Sequence, residues 1–238
     1  MVGAAAQDYL EVVTVFPEEP PDTSCRPIRV RCSDDATWYL KGSHLGRVPV
    51  TEQVVARMAL LIGAPVPQVA IVRLGAAEAE TLPEEVRPGL YHGSREIPNA
   101  DVVYWLRSNK TNQSDIAGID VLFSWAHSGD EQYLLDADDR YFSFDHGAFL
   151  PGGPCWDKDS LQTAEAPGRL DMFGRAGVGV EYYRPILERL EALTVEEVAA
   201  AVGMHPAEWE CTVDDRVALA EYFWSRRGPT LGLFRGQP

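Results

Sequence analysis

Four polar residues stand in an order that suits phosphoryl transfer: Lys41, Glu52, Asp130 and Asp145. A lysine at the end of a strand can neutralise and position nucleotide phosphates. A glutamate on a following helix can hold that lysine by an ion pair. A carboxylate in a polar loop can orient a hydroxyl acceptor, and a second carboxylate after a hairpin can bind Mg²⁺. Each residue also has an ordinary structural reading. Lys41 could be a solvated edge residue, and Glu52 could complement a helix dipole. Asp130 and His127 could close a helix, and Asp145 could cap a turn. The order and spacing of the four, rather than any one of them, point to a phosphate site.

The stretch Tyr141-Phe142-Ser143-Phe144-Asp145-His146-Gly147-Ala148-Phe149 carries the clearest local signal. Aromatic residues alternate with small or polar ones up to Asp145, as in a short strand with period two. The pattern puts Asp145 on the second strand of a hairpin, with Gly147 free to turn the chain sharply. Lysine usage adds weight to Lys41. The chain has only Lys41, Lys110 and Lys158 against 18 arginines. A lysine kept inside an apolar strand is therefore informative.

Composition narrows the function classes. A length of 238 residues suits one large domain or two small lobes, and 45% hydrophobic residues suffice for a substantial core. A net charge of -15 without any basic stripe argues against a nucleic-acid surface. Cys25, Cys32, Cys155 and Cys211 form no C-x-x-C pair, so no structural zinc site is expected. No apolar run approaches the ~20 residues needed to span a membrane. No signal peptide is expected, and the chain reads as a reduced, cytoplasmic protein.

Several elements must position the four residues. A first strand is expected over residues 9–16, then a loop over 18–22. Strands over 28–32 and 37–40 flank the turn Ser33-Asp34-Asp35-Ala36, which leaves Lys41 at a strand end. A helix from Thr51 to about Ile62 has an apolar stripe of Val54, Val55, Met58, Leu61 and Ile62, and Gly63 stops it. A strand follows over 69–74, then an acidic surface helix and loop over 76–86. Residues 91–95 read as a segment crossing between lobes, with a boundary near 90–98. Asp101 to Leu106 reads as a short helix. A longer helix starts near Gln113-Ser114-Asp115 and runs through Trp125. Residues 132–135 and 141–144 form the hairpin. Residues 150–170 have little periodicity and suit a functional or mobile loop, with Trp156 as a docking anchor or a core residue. Helices follow over 180–193, from Thr194 with Glu197 at capping-box spacing, and over 214–227.

The sequence resembles the HipA-like kinases, a branch of the protein-kinase-like superfamily, over most of its length. Trp38-Tyr39-Leu40-Lys41-Gly42 resembles the family's lysine strand. Thr51-Glu52-Gln53 through Leu60-Leu61-Ile62-Gly63-Ala64-Pro65-Val66-Pro67 resembles its glutamate helix. Phe144-Asp145-His146-Gly147 resembles its metal-binding phrase. Ala207-Glu208-Trp209 and the Arg226-Arg227 helix resemble its C-terminal end more weakly. The resemblance implies an α+β, two-lobed kinase fold, with a mostly-β N-lobe carrying one helix (1–97) and a helical C-lobe (98–238). It also implies ATP and Mg²⁺ as cofactors, with Lys41, Glu52 and Asp145 at the nucleotide.

The catalytic loop departs from the family pattern, which reads Asn-x-Asp-Arg and later Asn-Leu-Leu. Here the stretch is His127-Ser128-Gly129-Asp130-Glu131-Gln132-Tyr133-Leu134-Leu135. Anchored on the two leucines, Ser128 takes the acid's place and Tyr133 the metal-binding amide's. Anchored on Asp130, the acid is kept and Gln132 is the amide nearby, as a second candidate metal ligand beside Asp145. The arginine is absent in both registers. The acidic turn at residues 33–36 would repel phosphates if it lay over them.

Three functions remain in view. The first is an ATP-dependent kinase acting on a hydroxyl of a protein, peptide or small molecule. The second is a pseudokinase that binds a nucleotide or a partner without transfer. The third is a metal-dependent phosphohydrolase using His127, Asp130, Asp145 and His146. A structural role, with residues 151–170 as a docking loop, is a further alternative.

Overall fold

The structure is a computed structural model that describes residues 9–17 and 26–235. The loop expected over 18–22 lies outside the described residues. Five strands form a closed barrel: β1 (Leu10–Val15), β2 (Ile28–Cys32), β3 (Thr37–Lys41), β4 (Val69–Leu74) and β5 (Gly89–Arg95). The order around the barrel is β1-β2-β3-β5-β4, and a parallel β1–β4 pair closes it. Alternation drives the β2–β3 hairpin. Val30, Cys32, Trp38 and Leu40 are all fully buried, and Val30 pairs with Trp38 in register. The turn is tied by Asp34, whose Oδ1 accepts from the Ala36 N–H (3.1 Å) and from Trp38 Nε1 (3.2 Å).

Helix α1 (Val48–Ile62) begins three residues before the expected Thr51. Pro49 sits in its first turn, where a missing N–H costs nothing. Gly63 ends it in the left-handed region (φ 75°), with the Ala64 N–H donating to Ala59 O at 2.9 Å. Of the expected stripe, Val54, Val55, Met58 and Ile62 are fully buried and Leu61 is half-buried. Although α1 lies between barrel strands β3 and β4 in sequence, it shares its apolar core with the helices that come later.

Two expectations are corrected between the barrel and the helices. Residues 91–95 do not cross between lobes; they are part of β5, which lies between β3 and β4. Its six residue pairs with β4 and four with β3 outweigh the weak β propensity of Gly93 and Ser94. Asp101–Val103 is a strand, β6, and not a helix. The β-branched pair Val102-Val103 finds a partner in a hairpin some thirty residues later, which no local window shows. The helix and loop expected over 76–86 are α2 (Ala76–Ala79) and the turns after it.

The rest is mostly helical and holds six of the eight α-helices among the described residues. Helix α3 (Gln113–Ala126) is buried all round from Asp115 onward, which makes it the central rod. The hairpin β7 (Tyr133–Leu135) and β8 (Tyr141–Ser143) joins β6 in a three-stranded sheet. Residues 150–170 carry a 3₁₀ turn and helix α4 (Lys158–Gln162), which opens with a capping box from Asp157 to Ser160. Helices α5 (Asp171–Ala176), α6 (Val180–Ala192) and α7 (Val195–Gly203) follow, and Thr194 and Glu197 form the expected capping box. Helix α8 (Val213–Arg235) runs further than expected, through Pro229. Its buried Arg226 donates to Trp125 O (2.8 Å) and Ser124 O (3.1 Å), satisfying carbonyls at the end of α3. Among the described residues no helix is long and apolar enough to cross a membrane.

Gly118 lets α3 approach the turn that ends α1. A Cβ there would lie 3.0 Å from Ala64 Cα and 3.1 Å from Pro65 Cδ. The same turn holds β8, because Pro65 O accepts from the Ser143 N–H at 2.9 Å. Gly118→Val is therefore expected to destabilise the fold by about 1–3 kcal/mol through overpacking, read as a lower midpoint in urea at unchanged slope.

Candidate functional site

Lys41 closes β3 and turns into the molecule. It is 7% exposed, and its ammonium forms ion pairs with Glu52 of α1 and Asp145 beyond β8. Glu52 is 3% exposed and does more than hold the lysine. Its Oε2 accepts the His146 N–H (3.0 Å) and its Oε1 the Gly147 N–H (3.1 Å). A Cβ on Gly147 would sit 2.9 Å from Val48 Cγ1, so glycine permits this close approach. Asp145 is not on the second hairpin strand as expected. β8 ends at Ser143, and Asp145 lies in the left-handed region (φ 53°, ψ 56°) before a 3₁₀ turn. That conformation is open to aspartate more than to most residues, and it re-aims the carboxylate toward Lys41.

Charge balance follows from burial. Desolvation works against the Lys41 ammonium, but the Glu52 and Asp145 carboxylates outweigh it and hold the pKa above the ordinary value. Burial also works against the Glu52 carboxylate. Lys41, His146 and the backbone N–H of His146 reverse that and lower its pKa. His146 is 2% exposed, with Nε2 2.7 Å from Ser143 Oγ. Burial, aided by Lys41, pushes it down to about 4 against the pull of Glu52, so it is neutral at pH 7.

The loop after α3 brings in Asp130 and Gln132. His127 ends the helix in the left-handed region (φ 61°). Asp130 Oδ1 accepts the Glu131 N–H at 2.8 Å, and its Oδ2 accepts from Gln132 Nε2 at 2.6 Å. The same Nε2 lies 3.3 Å from Asp145 Oδ2. Asp130, Gln132, Asp145, Lys41 and Glu52 thus form one connected polar chain. Ser128 faces its own loop, donating to Asp130 O at 2.6 Å. Tyr133 points away: it is fully buried, stacks on Phe123, and has its hydroxyl 2.9 Å from Met172 Sδ. The register that puts Tyr133 at the metal-binding position therefore aims a core residue at it, whereas the Asp130 register gathers polar groups. Among the described residues no group of three or more His, Cys, Asp or Glu side chains is placed to hold a metal.

All of that polar chain but Asp130, which stands behind Gln132, lines a cavity of about 380 Å³. Lys41, Glu52, Gln132 and Asp145 give it a polar wall, and Tyr39, Val102, Leu134 and Phe144 give it apolar ones. A larger cleft of about 650 Å³ lies among Arg169, Tyr183 and Phe234 and contains none of these groups. The acidic turn at residues 33–36 stands at the far end of β3 from Lys41, about 13 Å away at ~3.3 Å per residue. It does not lie over the cavity; Pro27, just before β2, lines it instead. Trp156 is fully buried, its Nε1 donates to Thr51 Oγ1 at 2.8 Å, and Arg47 stacks on its ring at 4.2 Å. It anchors its loop to α1 and is no exposed docking residue. The sequence reading missed His92 and Gln53, which adjoin the site; the only signal was strand β5 itself, which pairs His92 with Lys41.

No family model matches the sequence, and no curated protein matches it. Among solved structures the chain is similar to a Helicobacter pylori proinflammatory kinase, CtkA, with a TM-score of 0.63 at 9% identity. The match covers 95% of this chain and 96% of that one. At that identity the likeness is one of fold: a β-rich N-terminal part followed by helices, in the arrangement of a kinase.

The neutral His146 makes an acid-sensitivity prediction. Its folded pKa of about 4 lies below the ordinary 6.5, so its contribution is full above pH 6.5 and is lost as pH falls toward 4. The difference is worth about 3 kcal/mol at ~1.4 kcal/mol per pH unit. Urea unfolding of the metal-free protein between pH 7.5 and 4 is expected to show a steeper loss for the wild type than for His146→Asn. Equal slopes would contradict the burial of a neutral imidazole.

Proposed function

We propose that the chain is a HipA-like, ATP-dependent phosphotransferase acting on a hydroxyl of a protein, peptide or small molecule. The observation that carries this reading is Lys41 held between Glu52 and Asp145 at the wall of a cavity, on a fold shared with a kinase. We place the nucleotide between an N-terminal lobe, 1–97, and a C-terminal lobe, 98–238, in a cytoplasmic protein. The apolar walls suit a base, and the Lys41 end suits phosphates.

The residues divide the work. Lys41 binds phosphate oxygens, and Glu52 keeps its ammonium at the end of β3. The acceptor oxygen bonds to the γ-phosphorus as the bond to the β-phosphate oxygen breaks and ADP leaves. Asp130 takes the proton that the acceptor hydroxyl gives up. Asp145 would hold Mg²⁺, joined by the Gln132 amide oxygen once that amide turns away the Nε2 that faces Asp145 here. Carboxylate and amide oxygens fit a hard cation, which needs only one or two protein carboxylates beside the phosphates. A Mg²⁺ held there would neutralise charge on the phosphates.

A second reading, nucleotide binding without transfer, draws on a different observation. Both Asp130 oxygens already accept hydrogen bonds, from Glu131 N–H and Gln132 Nε2, and the loop has no arginine. Calorimetry with ATP, with and without Mg²⁺, separates the readings when paired with a phosphotransfer assay. The expected result is Mg²⁺-dependent binding, weakened in Lys41→Ala and Asp145→Ala. Turnover is expected to fall about 10²–10⁴-fold in Asp130→Asn with binding retained. Binding without turnover in the wild type selects the second reading, and no binding by folded protein overturns both.

A further inference from the structure

We infer that His92 is a further contact to the bound nucleotide, donating its Nε2–H to a phosphate oxygen beside Lys41, and that Gln53 and Arg57 act as positioning residues fixing that tautomer. The inference rests on the nucleotide reading of the cavity.

His92 is placed by register. It is the cross-strand partner of Lys41 in the antiparallel β3–β5 pair, so both side chains rise from the same face of the sheet. It is 1% exposed, yet it lines the same cavity as Lys41, Glu52 and Asp145. An oxygen within reach of the ammonium is therefore within reach of the imidazole.

The tautomer is set from behind. Gln53, on α1 next to Glu52, is fully buried with its amide 2.8 Å from His92 Nδ1. Arg57, one turn on, reaches the other end of that amide with two guanidinium nitrogens, each at 2.8 Å. A guanidinium only donates, so the end it faces is the amide oxygen. The amide NH₂ is left to donate to His92 Nδ1, which must be the unprotonated nitrogen. The ring proton then sits on Nε2, which has no hydrogen-bond partner among the described residues. His92 lines the cavity, and the cavity is where a partner for that N–H can enter.

The imidazole is also neutral. Burial lowers its pKa well below the ordinary value, and Lys41 on β3, His146 beyond β8 and Arg57 on α1 lower it further. Glu52, the carboxylate nearby on α1, is engaged by Lys41 and by the N–H groups of His146 and Gly147. His92 thus offers a directional donor without a second positive charge. A buried histidine serving only the core would have no use for a glutamine and an arginine arranged to select one ring nitrogen.

Two measurements on the full chain test this. In ¹⁵N-histidine-labelled protein, long-range ¹H–¹⁵N spectra, with His92→Gln for assignment, are expected to show His92 protonated on Nε2. That resonance should move when Mg²⁺ and a non-hydrolysable ATP analogue are added. In calorimetry with the same analogue, His92→Leu is expected to bind about tenfold or more weakly, the loss typical of a hydrogen bond to a charged group. His92→Gln, which keeps a donor, should recover most of it. Proton on Nδ1 overturns the inference, as does full-strength binding by His92→Leu where Lys41→Ala is weakened. If the wild type binds no analogue, the nucleotide reading and this inference fall together. If His92→Leu does not fold, the Nε2 shift and the His92→Gln affinity decide alone.

Discussion

An ammonium group removed from water is stable only where opposite charge meets it at close range, and Lys41 meets two carboxylates. The three partners come from three separate segments: the end of β3, the first half of α1, and the turn after β8. None of these segments is near the others in sequence except β3 and α1. Each must be delivered to one point with little tolerance, because Lys41 or Glu52 left alone would be a buried, uncompensated charge. The barrel fixes β3 by pairing it on both sides. The α1 helix is fixed by its burial against α3 and α6. The turn after β8 is fixed by the hydrogen bond from Ser143 to the end of α1 and by the two backbone N–H groups that Glu52 receives.

Helix α1 thus serves both halves of the structure. Its apolar stripe belongs to the core of the helices, while Glu52 pairs with Lys41 of β3 and Gln53, backed by Arg57, meets His92 of β5. Its first turn is held by Trp156 through Thr51 and Arg47, and Arg47 also pairs with Asp215 of α8 at 3.0 Å. A displacement of the loop around Trp156 would be transmitted directly to the turn that presents Glu52.

Much of this was legible in residue patterns. The β2–β3 hairpin, the strand over 69–74, α3 and the Thr194 capping box are local features, written in alternation, helical spacing and cap chemistry. Lys41, Glu52, Asp130 and Asp145 could be singled out because their types and order suit one chemistry; the fold joins Lys41, Glu52 and Asp145 directly and Asp130 only through Gln132. Other features depended on long-range pairing. Val102-Val103 becomes a strand only because Tyr133 and Leu134 lie beside it, and residues 89–95 become an inner strand only because β3 and β4 flank them. Asp145 leaves the strand early because the left-handed turn, not the alternation, decides where its carboxylate points. The histidine behind Lys41 was invisible because nothing in sequence ties His92 to Gln53; only the packing of α1 on β5 does.

Glu52 has a consequence for how such a chain can drift over generations. One carboxylate neutralises the buried ammonium and also receives the two N–H groups that shape the turn after Asp145. Selection for a folded molecule alone would retain it, together with the lysine it offsets. A lineage that abandoned catalysis would keep this pair for as long as it kept its shape. The polar loop at Asp130, held mostly by bonds within itself, would be released first. The lysine–glutamate pair is thus tied to the architecture, and the Asp130 loop mostly to itself.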